Sequence, residues 1–242
     1  MTYYKEFYLI VRNLLMTVER PIFTMARAML DLQCQSNNAA KPDWLENPPP
    51  YLRAASQEAC EMIEHYGWKW WKKQVPDLPQ AVMEVVDISL FYWSDIIIAN
   101  KGDLDASARA IESAVTSFQY ASKMVVTFDG VDYDIAETDT VRKMELISGL
   151  AVARRTSLPL LLSVMQDLGM TFESLFKLYV GKSALHCFRI DNGYKDGSYI
   201  KIWSGREDNE YLTDIINRSA LDETLYDNVI SGLSKDYQKF AK

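Results

Sequence analysis

The chain has 242 residues, 48% of them hydrophobic and 24% charged, which is the balance of a globular protein with a substantial core. Its net charge of −7 argues against a general binder of nucleic acids or anionic membranes, although a local group of cations can still bind a small phosphorylated ligand. Three cysteines without CxxC spacing and two histidines argue against a disulfide framework and a zinc site. These cysteines indicate a reducing, intracellular compartment, so we expect a cytoplasmic protein. Residues 7–11, FYLIV, are too short for a signal peptide, and no apolar run is long enough to span a bilayer.

Proline and glycine are sparse, and apolar residues recur at helical spacing, so the sequence predicts an all-α protein. Pro159 predicts a kink or break in a long helix, and Val125–Ile135 predicts a minor β-hairpin that turns at Asp129–Gly130. The chain shows neither an internal repeat nor a clear interdomain linker, so we expect one domain. The predicted helices cover residues 3–18, 22–36, 51–73, 80–100, 104–123, 140–169, 171–188, 208–218 and 222–240.

The stretch FRIDNGYKDGSYIKIWSGREDN, Phe188 to Asn209, reads as neither an ordinary helix nor an ordinary strand. Its glycines, cations and aromatic rings predict a glycine-rich loop near the C-terminus. Such a loop can place backbone N–H groups, cationic heads and flat rings around one ligand, and a phosphorylated nucleotide is the obvious candidate. A plain connecting loop is the alternative interpretation.

Two pairs of acids lie on consecutive predicted helices: Glu58 with Glu61, and Glu84 with Asp87. A spacing of three residues puts both carboxylates of a pair on one face of a helix. Apolar neighbours place these acids on or beside the buried stripe, where lone charges are expensive. Divalent cations remove the repulsion, and oxygen ligands alone suit Mg²⁺ or Mn²⁺. Solvent-facing helices also carry such pairs by chance, which is the alternative.

At these residues the chain resembles the dimeric all-α dUTPases, part of the wider all-α NTP pyrophosphohydrolase group that includes MazG-like proteins. The motifs that carry the resemblance are LDLQCQSNN, QEACEMIEHYGWKWWKK, MEVVDISLF and LYVGKSALHCFRIDNGYKDGSYIKIWSGREDN, in that order. The resemblance covers residues 24–100 and 140–215. It implies an all-α helical bundle forming one domain over residues 1–242, with an N-terminal extension over 1–20 and a variable segment over 101–139.

The resemblance implies hydrolysis of dUTP, with dUDP as a further substrate, to dUMP and pyrophosphate, which limits uracil incorporation into DNA and supplies dUMP. It also implies two or more Mg²⁺ ions, replaceable by Mn²⁺, and a homodimer. Glu61 is the residue expected to orient or deprotonate the attacking water. The metal ligands and catalytic residues implied are Glu58, Glu61, Glu84 and Asp87. The implied phosphate contacts are Lys182, Arg189, Lys195, Lys201, Tyr194 and Tyr199. The implied base and sugar contacts are Gln33, Asn37, Trp68, Phe91, His186 and Asn192.

Three departures from the family pattern leave the base preference open. Ser89–Leu90 stands where the family has Trp-His, His186 replaces an asparagine, and Ile190 replaces a glutamine. A pyrophosphatase acting on dCTP, or on several pyrimidine deoxynucleotides, is therefore an alternative. A non-catalytic nucleotide-binding regulatory protein is a second alternative, but such a protein has no need of four metal-binding carboxylates. A helical interaction protein whose charges lie only on its surface is a third.

Overall fold

The computed structural model describes residues 21–240, and the helix predicted over residues 3–18 lies outside them. Helices make up 64% of the described residues, and the strands form two short antiparallel hairpins, so the all-α prediction is confirmed. Within residues 21–240, none of the helices combines the length and apolar character needed to cross a membrane. The elements are α1 (Ile22–Ala40), α2 (Tyr51–Tyr66), α3 (Leu78–Ala99), α4 (Leu104–Tyr120), β1 (Val125–Phe128), β2 (Val131–Asp134), α5 (Thr140–Val152), α6 (Leu158–Asp167), α7 (Phe172–Asp191), β3 (Ile202–Trp203), β4 (Arg206–Glu207), α8 (Asp208–Arg218) and α9 (Leu225–Tyr237).

The chain divides into two compact units: an N-terminal unit, Ile22–Phe172, and a C-terminal unit from Glu173 onward. In the N-terminal unit, α2 packs along α3 and α5, α1 packs against α4 and α3, and α6 packs against α5 and α4. Fully buried side chains such as Met62, Val86 and Ile147 form its core. The expectation of a single domain over residues 1–242 stays a prediction.

Side-chain caps fix where several of these helices begin. The carboxylates of Asp103 and Asp139 accept hydrogen bonds from backbone N–H groups three residues later, at 2.9 and 3.0 Å, and these bonds satisfy donors that have no partner within the helix. The break predicted at Pro159 is confirmed. Proline sits in the first turn of α6, where its missing N–H costs nothing, and α5 ends before Arg154, whose φ of 61° is left-handed.

The predicted hairpin is also confirmed, with Val125 paired to Asp134 and Phe128 to Val131. Positive φ angles at Asp129 and Gly130 give the tight turn that two-residue hairpins favour. The Phe128 ring lies so close to Gly149 in α5 that a Cβ added there would lie 2.8 Å from the ring. The glycine therefore provides the space in which the hairpin packs on α5.

Several predicted helix boundaries were wrong, among them the ends of the helices predicted over 22–36, 51–73 and 171–188. The helix predicted over 51–73 ends at Tyr66, because Gly67 has a φ of 87° and the Gln74 side chain accepts the backbone N–H groups of Trp68 and Lys69. The stretch from Phe188 begins as helix, since α7 continues to Asp191. That stretch later contains the short β3–β4 hairpin, which turns at Ser204–Gly205.

The C-terminal unit is held together by close helix contacts and an aromatic cluster. Gly181 in α7 faces Ile216 in α8, and Gly232 in α9 faces Ile215 of α8, so both glycines allow close approach. Around the glycine-rich loop, the Tyr237 ring of α9 lies 5.2 Å from the stacked Tyr199 ring. The rings of Phe188 and Trp203 complete this cluster at 5.5 and 5.3 Å from Tyr237. Much of the loop's aromatic content is therefore packing.

Candidate functional site

Three of the four predicted metal ligands come together in the N-terminal unit. Glu58 of α2 and Glu84 and Asp87 of α3 each offer a carboxylate oxygen, and these oxygens lie within 4.8 Å of one another. Glu84 is 5% exposed, whereas Glu58 and Asp87 are half-buried. We call these three residues the carboxylate group. The i, i+3 spacing within α3 and the packing of α2 along α3 produce it.

Glu61 does not belong to the carboxylate group and is exposed. Three residues correspond to about 300° of rotation, so Glu58 and Glu61 differ by about 60° around the helix axis. Glu58 is thus turned further towards the interior, and Glu61 further towards solvent. The role of Glu61 stays a prediction.

His65 is a neighbour of the carboxylate group that the sequence did not point to. Its Nε2 atom lies 3.6 Å from an Oε1 atom of Glu84, near enough for an electrostatic contact but too long for a good hydrogen bond. His65 follows Glu61 by one turn of α2 and is half-buried. Its position one turn after Glu61 is the sequence signal by which His65 could have been predicted to lie near the carboxylates.

The predicted base contacts Gln33 and Asn37 form a buried relay of side chains. Gln33 Nε2 donates to Asn37 Oδ1 at 2.9 Å, and Asn37 Nδ2 donates to the Ser94 hydroxyl at 3.0 Å. Ser94 in turn donates to the backbone carbonyl of Leu90. Because the Ser94 proton goes to that carbonyl, Ser94 accepts from Asn37, and the amide of Asn37 has a single orientation. Sequence reasoning missed Ser94, which lies one turn beyond Leu90.

Phe91 and Trp68 differ in their surroundings. Phe91 is half-buried on α3, one turn beyond Asp87. Trp68 is 41% exposed; its ring lies edge-on to Trp71 at 5.1 Å, and its indole N–H donates to Glu64 at 2.8 Å. Trp70 is also exposed. Trp68, Trp70 and Trp71 therefore all lie at the surface of the protein, just beyond the end of α2.

Three of the predicted phosphate contacts, Lys182, Arg189 and Tyr199, form a network with two residues that sequence reasoning missed, Asp208 and Asn209. Arg189 donates through Nε and Nη2 to the Asp208 carboxylate at 2.8 and 2.7 Å, and the Tyr199 hydroxyl donates to the same carboxylate at 2.8 Å. Lys182, 2% exposed, donates to Asn209 Oδ1 at 3.0 Å. We call these five residues the cation network. Asp208 and Asn209 stand at the start of the predicted helix 208–218, and this position is the sequence signal by which they could have been found.

Burial, followed by nearby charges of the C-terminal unit, shifts the pKa values of three predicted site residues. Burial, followed by the Asp208 carboxylate, raises the pKa of Tyr199 far above its usual value, so the phenol keeps its proton. Burial lowers the pKa of Lys201, but its 2.9 Å contact with Glu207 outweighs this, and the net shift is upward. Burial lowers the pKa of His186 well below its usual value, and the positive charges of Lys182 and Arg189 lower it further. His186 is therefore neutral at pH 7.

The remaining predicted contacts lie at the end of α7 and in the loop after it. Asn192 donates to the Phe188 carbonyl at 2.8 Å and so caps α7. Tyr194 is 56% exposed, with the Arg189 guanidinium 6.0 Å from its ring centroid, and Lys195 is exposed. The structure thus places Tyr194 and Lys195 at the surface of the loop and Asn192 in its first turn.

A cavity of about 400 Å³ lies elsewhere in the N-terminal unit, between the end of α4, the segment before β1, and α6. Lys123 and the buried Ser163 are among its lining residues, and none of the predicted site residues lines it. It is therefore distinct from the carboxylate group.

Grouped carboxylates and a cation network at a glycine-rich loop are parts that an enzyme acting on a phosphorylated nucleotide requires. The family model described as dUTPase matches residues 25–194, which is more than half of the chain. The chain therefore belongs to the all-α dUTPase family, whose activity is that of a dUTP diphosphatase. The matched region includes the segment 101–139. No curated protein matches the chain.

Proposed function

We propose that this enzyme hydrolyses dUTP to dUMP and pyrophosphate with Mg²⁺ held by the carboxylate group, and that dUDP is a second substrate. The observation that carries the proposal is the convergence of Glu58, Glu84 and Asp87 oxygens within 4.8 Å. The proposal includes two or more ions, replaceable by Mn²⁺, an intracellular location, and a homodimer as in the family that the sequence resembles.

The residues of the carboxylate group fit a hard divalent cation. Oxygen-only donors suit Mg²⁺, and three like charges held this close, one of them buried, gain from a neutralising ion. When bound, magnesium supplies Lewis-acid charge beside the phosphate oxygens. The exposed carboxylate of Glu61 orients or deprotonates the attacking water.

The other site residues bind and orient the nucleotide. Lys182, Arg189 and Tyr199 hold phosphate oxygens through charge-assisted hydrogen bonds, which offset the charge that grows on the leaving pyrophosphate. The fixed amides of Gln33 and Asn37 read the edge of the pyrimidine, and Phe91 stacks on its ring. The other proposed contacts to phosphate, sugar and base are Tyr194, Lys195, Lys201, Trp68, His186 and Asn192.

A panel of nucleotides tests the activity and the base preference. The protein is incubated with dUTP, dCTP, dTTP or dATP and Mg²⁺ while pyrophosphate is measured, and with dUDP while phosphate is measured. We expect dUTP to be hydrolysed fastest. Faster hydrolysis of dCTP would favour the dCTP or broader pyrimidine alternative, for which His186 is the supporting observation. Nucleotide binding without release of any product would favour a regulatory protein.

The carboxylate group makes a first prediction about variants. Glu84→Gln and Asp87→Asn each remove one negative oxygen donor from the group, so the rate of pyrophosphate release should fall on the order of 100-fold or more. Glu46→Gln, which changes an exposed acid in the loop after α1, serves as the matched control and should keep the wild-type rate. Wild-type turnover by Glu84→Gln would contradict the proposed site.

Glu61→Gln separates the two roles that the sequence gives to Glu61. If this residue acts on the attacking water, the variant should lose turnover but keep the Mg²⁺-dependent stabilisation by a non-hydrolysable dUTP analogue. Loss of both would assign Glu61 to the metal ligands instead. Retained turnover would remove Glu61 from the site.

A further inference from the structure

The Asp208 carboxylate is the central acceptor of the cation network. Asp208 is fully buried at the first position of α8, and its two oxygens accept hydrogen bonds from Arg189 Nε, Arg189 Nη2 and the Tyr199 hydroxyl at 2.7–2.8 Å. Its own backbone N–H donates to the Lys201 carbonyl at 3.0 Å. One residue therefore links the end of α7, the glycine-rich loop, the β3–β4 hairpin and α8.

The geometry of the pair fixes the guanidinium of Arg189 more firmly than a single contact would. Two parallel N–H···O bonds define the plane and the rotation of the guanidinium as well as its distance. Arg189 Nη2 also lies 3.4 Å from Asn209 Oδ1, so two consecutive residues of α8 hold the guanidinium. The Tyr199 hydroxyl is held on the same carboxylate, and its ring is stacked on Tyr237.

The next residue of α8, Asn209, contacts Lys182 as Asp208 contacts Arg189. Asn209, 7% exposed, accepts a hydrogen bond from Lys182 Nζ at 3.0 Å. Two consecutive residues at the start of α8 thus contact two cations of α7, the buried Lys182 and the half-buried Arg189. Gly181 permits this approach, because a Cβ at that position would lie 2.3 Å from Ile216 Cδ1 of α8.

We propose that Asp208 is a positioning residue, which orients Arg189 and Tyr199 so that they bind the phosphates of the nucleotide. The inference rests on the proposed function, and it extends that function to a residue with no assigned role. Asp208 acts through Arg189 and need not touch the substrate. In the opposite role, Asp208 would compete with phosphate for the guanidinium, and its removal would then strengthen nucleotide binding.

The test compares two substitutions at Asp208 with a control on the same helix. Asp208→Asn keeps the shape but removes the charge, and Asp208→Glu keeps the charge but displaces the carboxylate by one methylene group. Asp214→Asn is the matched control, since Asp214 is an exposed acid of α8 that pairs with Arg206 at 2.9 Å. For each variant we would measure the thermal unfolding midpoint, kcat and KM for dUTP, and the Kd of a non-hydrolysable dUTP analogue.

We expect Asp208→Glu to fold, and its kcat/KM to fall on the order of 100-fold, because small displacements of a positioned group have effects of this size. The Kd of the analogue should rise, and Asp214→Asn should match the wild type in both measurements. If Asp208→Asn unfolds because it leaves Arg189 buried beside a neutral amide, Asp208→Glu still decides the question. Wild-type kcat/KM in a folded Asp208→Glu variant, or tighter analogue binding by either Asp208 variant, would overturn the inference.

A double-mutant cycle distinguishes positioning from a purely structural role. Arg189→Lys keeps a positive charge but loses the two-pronged contact. If Asp208 acts through Arg189 and Tyr199, the double variant Asp208→Glu/Arg189→Lys should lose less kcat/KM than the product of the two single losses. Additive losses would overturn the inference.

The measurements also separate failure of the inference from failure of the proposed function. If the wild-type protein binds the analogue but releases no pyrophosphate, the proposed function fails, and the Kd ratio between Asp208→Glu and wild type still decides the role of Asp208. If the wild type neither binds nor hydrolyses the nucleotide, both proposals fail.

Discussion

Glu84 and Asp208 are both buried acids, but their surroundings differ. Asp208 accepts three hydrogen bonds, two from Arg189 and one from Tyr199, so its charge is compensated within the protein. Glu84 shares its site with two further carboxylates, and the nearest histidine nitrogen lies 3.6 Å away. An acid held by an arginine is suited to a fixed structural contact, whereas acids grouped with one another are suited to a cation. The two acids therefore support different roles at the residue scale.

His186 makes a prediction about acid stability. Its pKa is lowered in the folded protein, first by burial and then by Lys182 and Arg189, so the unfolded chain takes up a proton at a higher pH than the folded protein does. The neutral His186 therefore contributes stability that is fully present above about pH 6.5, the pKa of an unperturbed histidine. This stability is lost as the pH falls below that value. The free energy of unfolding should decrease by at most about 1.4 kcal/mol for each pH unit from this group.

Urea unfolding at pH 7.5 and pH 5.5 measures the effect. His186→Asn, which introduces the residue of the family pattern, should show a smaller acid-induced loss of stability than the wild type. His65→Asn, at the other histidine of the chain, should keep the His186-dependent loss. An equal loss in wild type and His186→Asn would show that His186 does not contribute.

The contact between α7 and α8 determines the cation network at the scale of elements. Lys182 and Arg189 lie on α7, and their partners Asn209 and Asp208 begin α8, so the network requires the two helices to lie close together. Gly181 is the residue of α7 that faces Ile216. Alanine forms helices more readily than glycine, so helix stability alone would favour alanine at position 181. The glycine is explained by the packing, because it leaves room for Ile216.

Gly181→Ala tests this contact. The added Cβ would lie 2.3 Å from Ile216 Cδ1, so the helices must separate or the isoleucine must move. We expect a loss of about 1–3 kcal/mol in the free energy of unfolding, as for other overpacked sites, together with a higher KM for dUTP. Gly181→Ala/Ile216→Ala removes the colliding atoms and should recover part of the KM. No recovery in the double variant would contradict steric crowding as the cause.

The glycine-rich stretch contains several different structural elements. Its first residues extend α7, its middle forms a loop around Gly193, and its end forms the β3–β4 hairpin and the start of α8. At Gly193 the φ angle is 94°, and a Cβ would lie 1.9 Å from the Ser198 hydroxyl oxygen, so no other residue fits there without rearrangement. The loop is thus shaped by its own packing as well as being suited to a ligand.

Metal and nucleotide should stabilise the molecule as a whole. If the carboxylate group binds Mg²⁺ and the nucleotide binds with it, a non-hydrolysable dUTP analogue at 100 times its Kd should add about 2.7 kcal/mol, and the unfolding midpoint should rise by several degrees. Excess EDTA should abolish the rise, and Glu84→Gln should reduce it in the presence of Mg²⁺. The measurement is thermal unfolding followed by circular dichroism. An equal rise with EDTA would contradict metal-dependent binding.

The sequence alone determined the features that depend on local spacing. Apolar periodicity predicted most of the helices, Pro159 predicted the break between α5 and α6, and Asp129–Gly130 predicted the turn of the first hairpin. The motifs in their order indicated the family that the match over residues 25–194 shows. These features are readable because helix formation, turns and helix ends depend on neighbouring residues.

The tertiary structure decided which side chains meet. Glu58 joins Glu84 and Asp87 while Glu61 remains exposed, because the packing of α2 along α3 selects one part of the acidic face. Arg189 is oriented by Asp208, 19 residues further along the chain, a pairing that no local pattern encodes. Contacts between distant residues depend on how helices pack, and this packing is set by the whole set of side chains that fills each core.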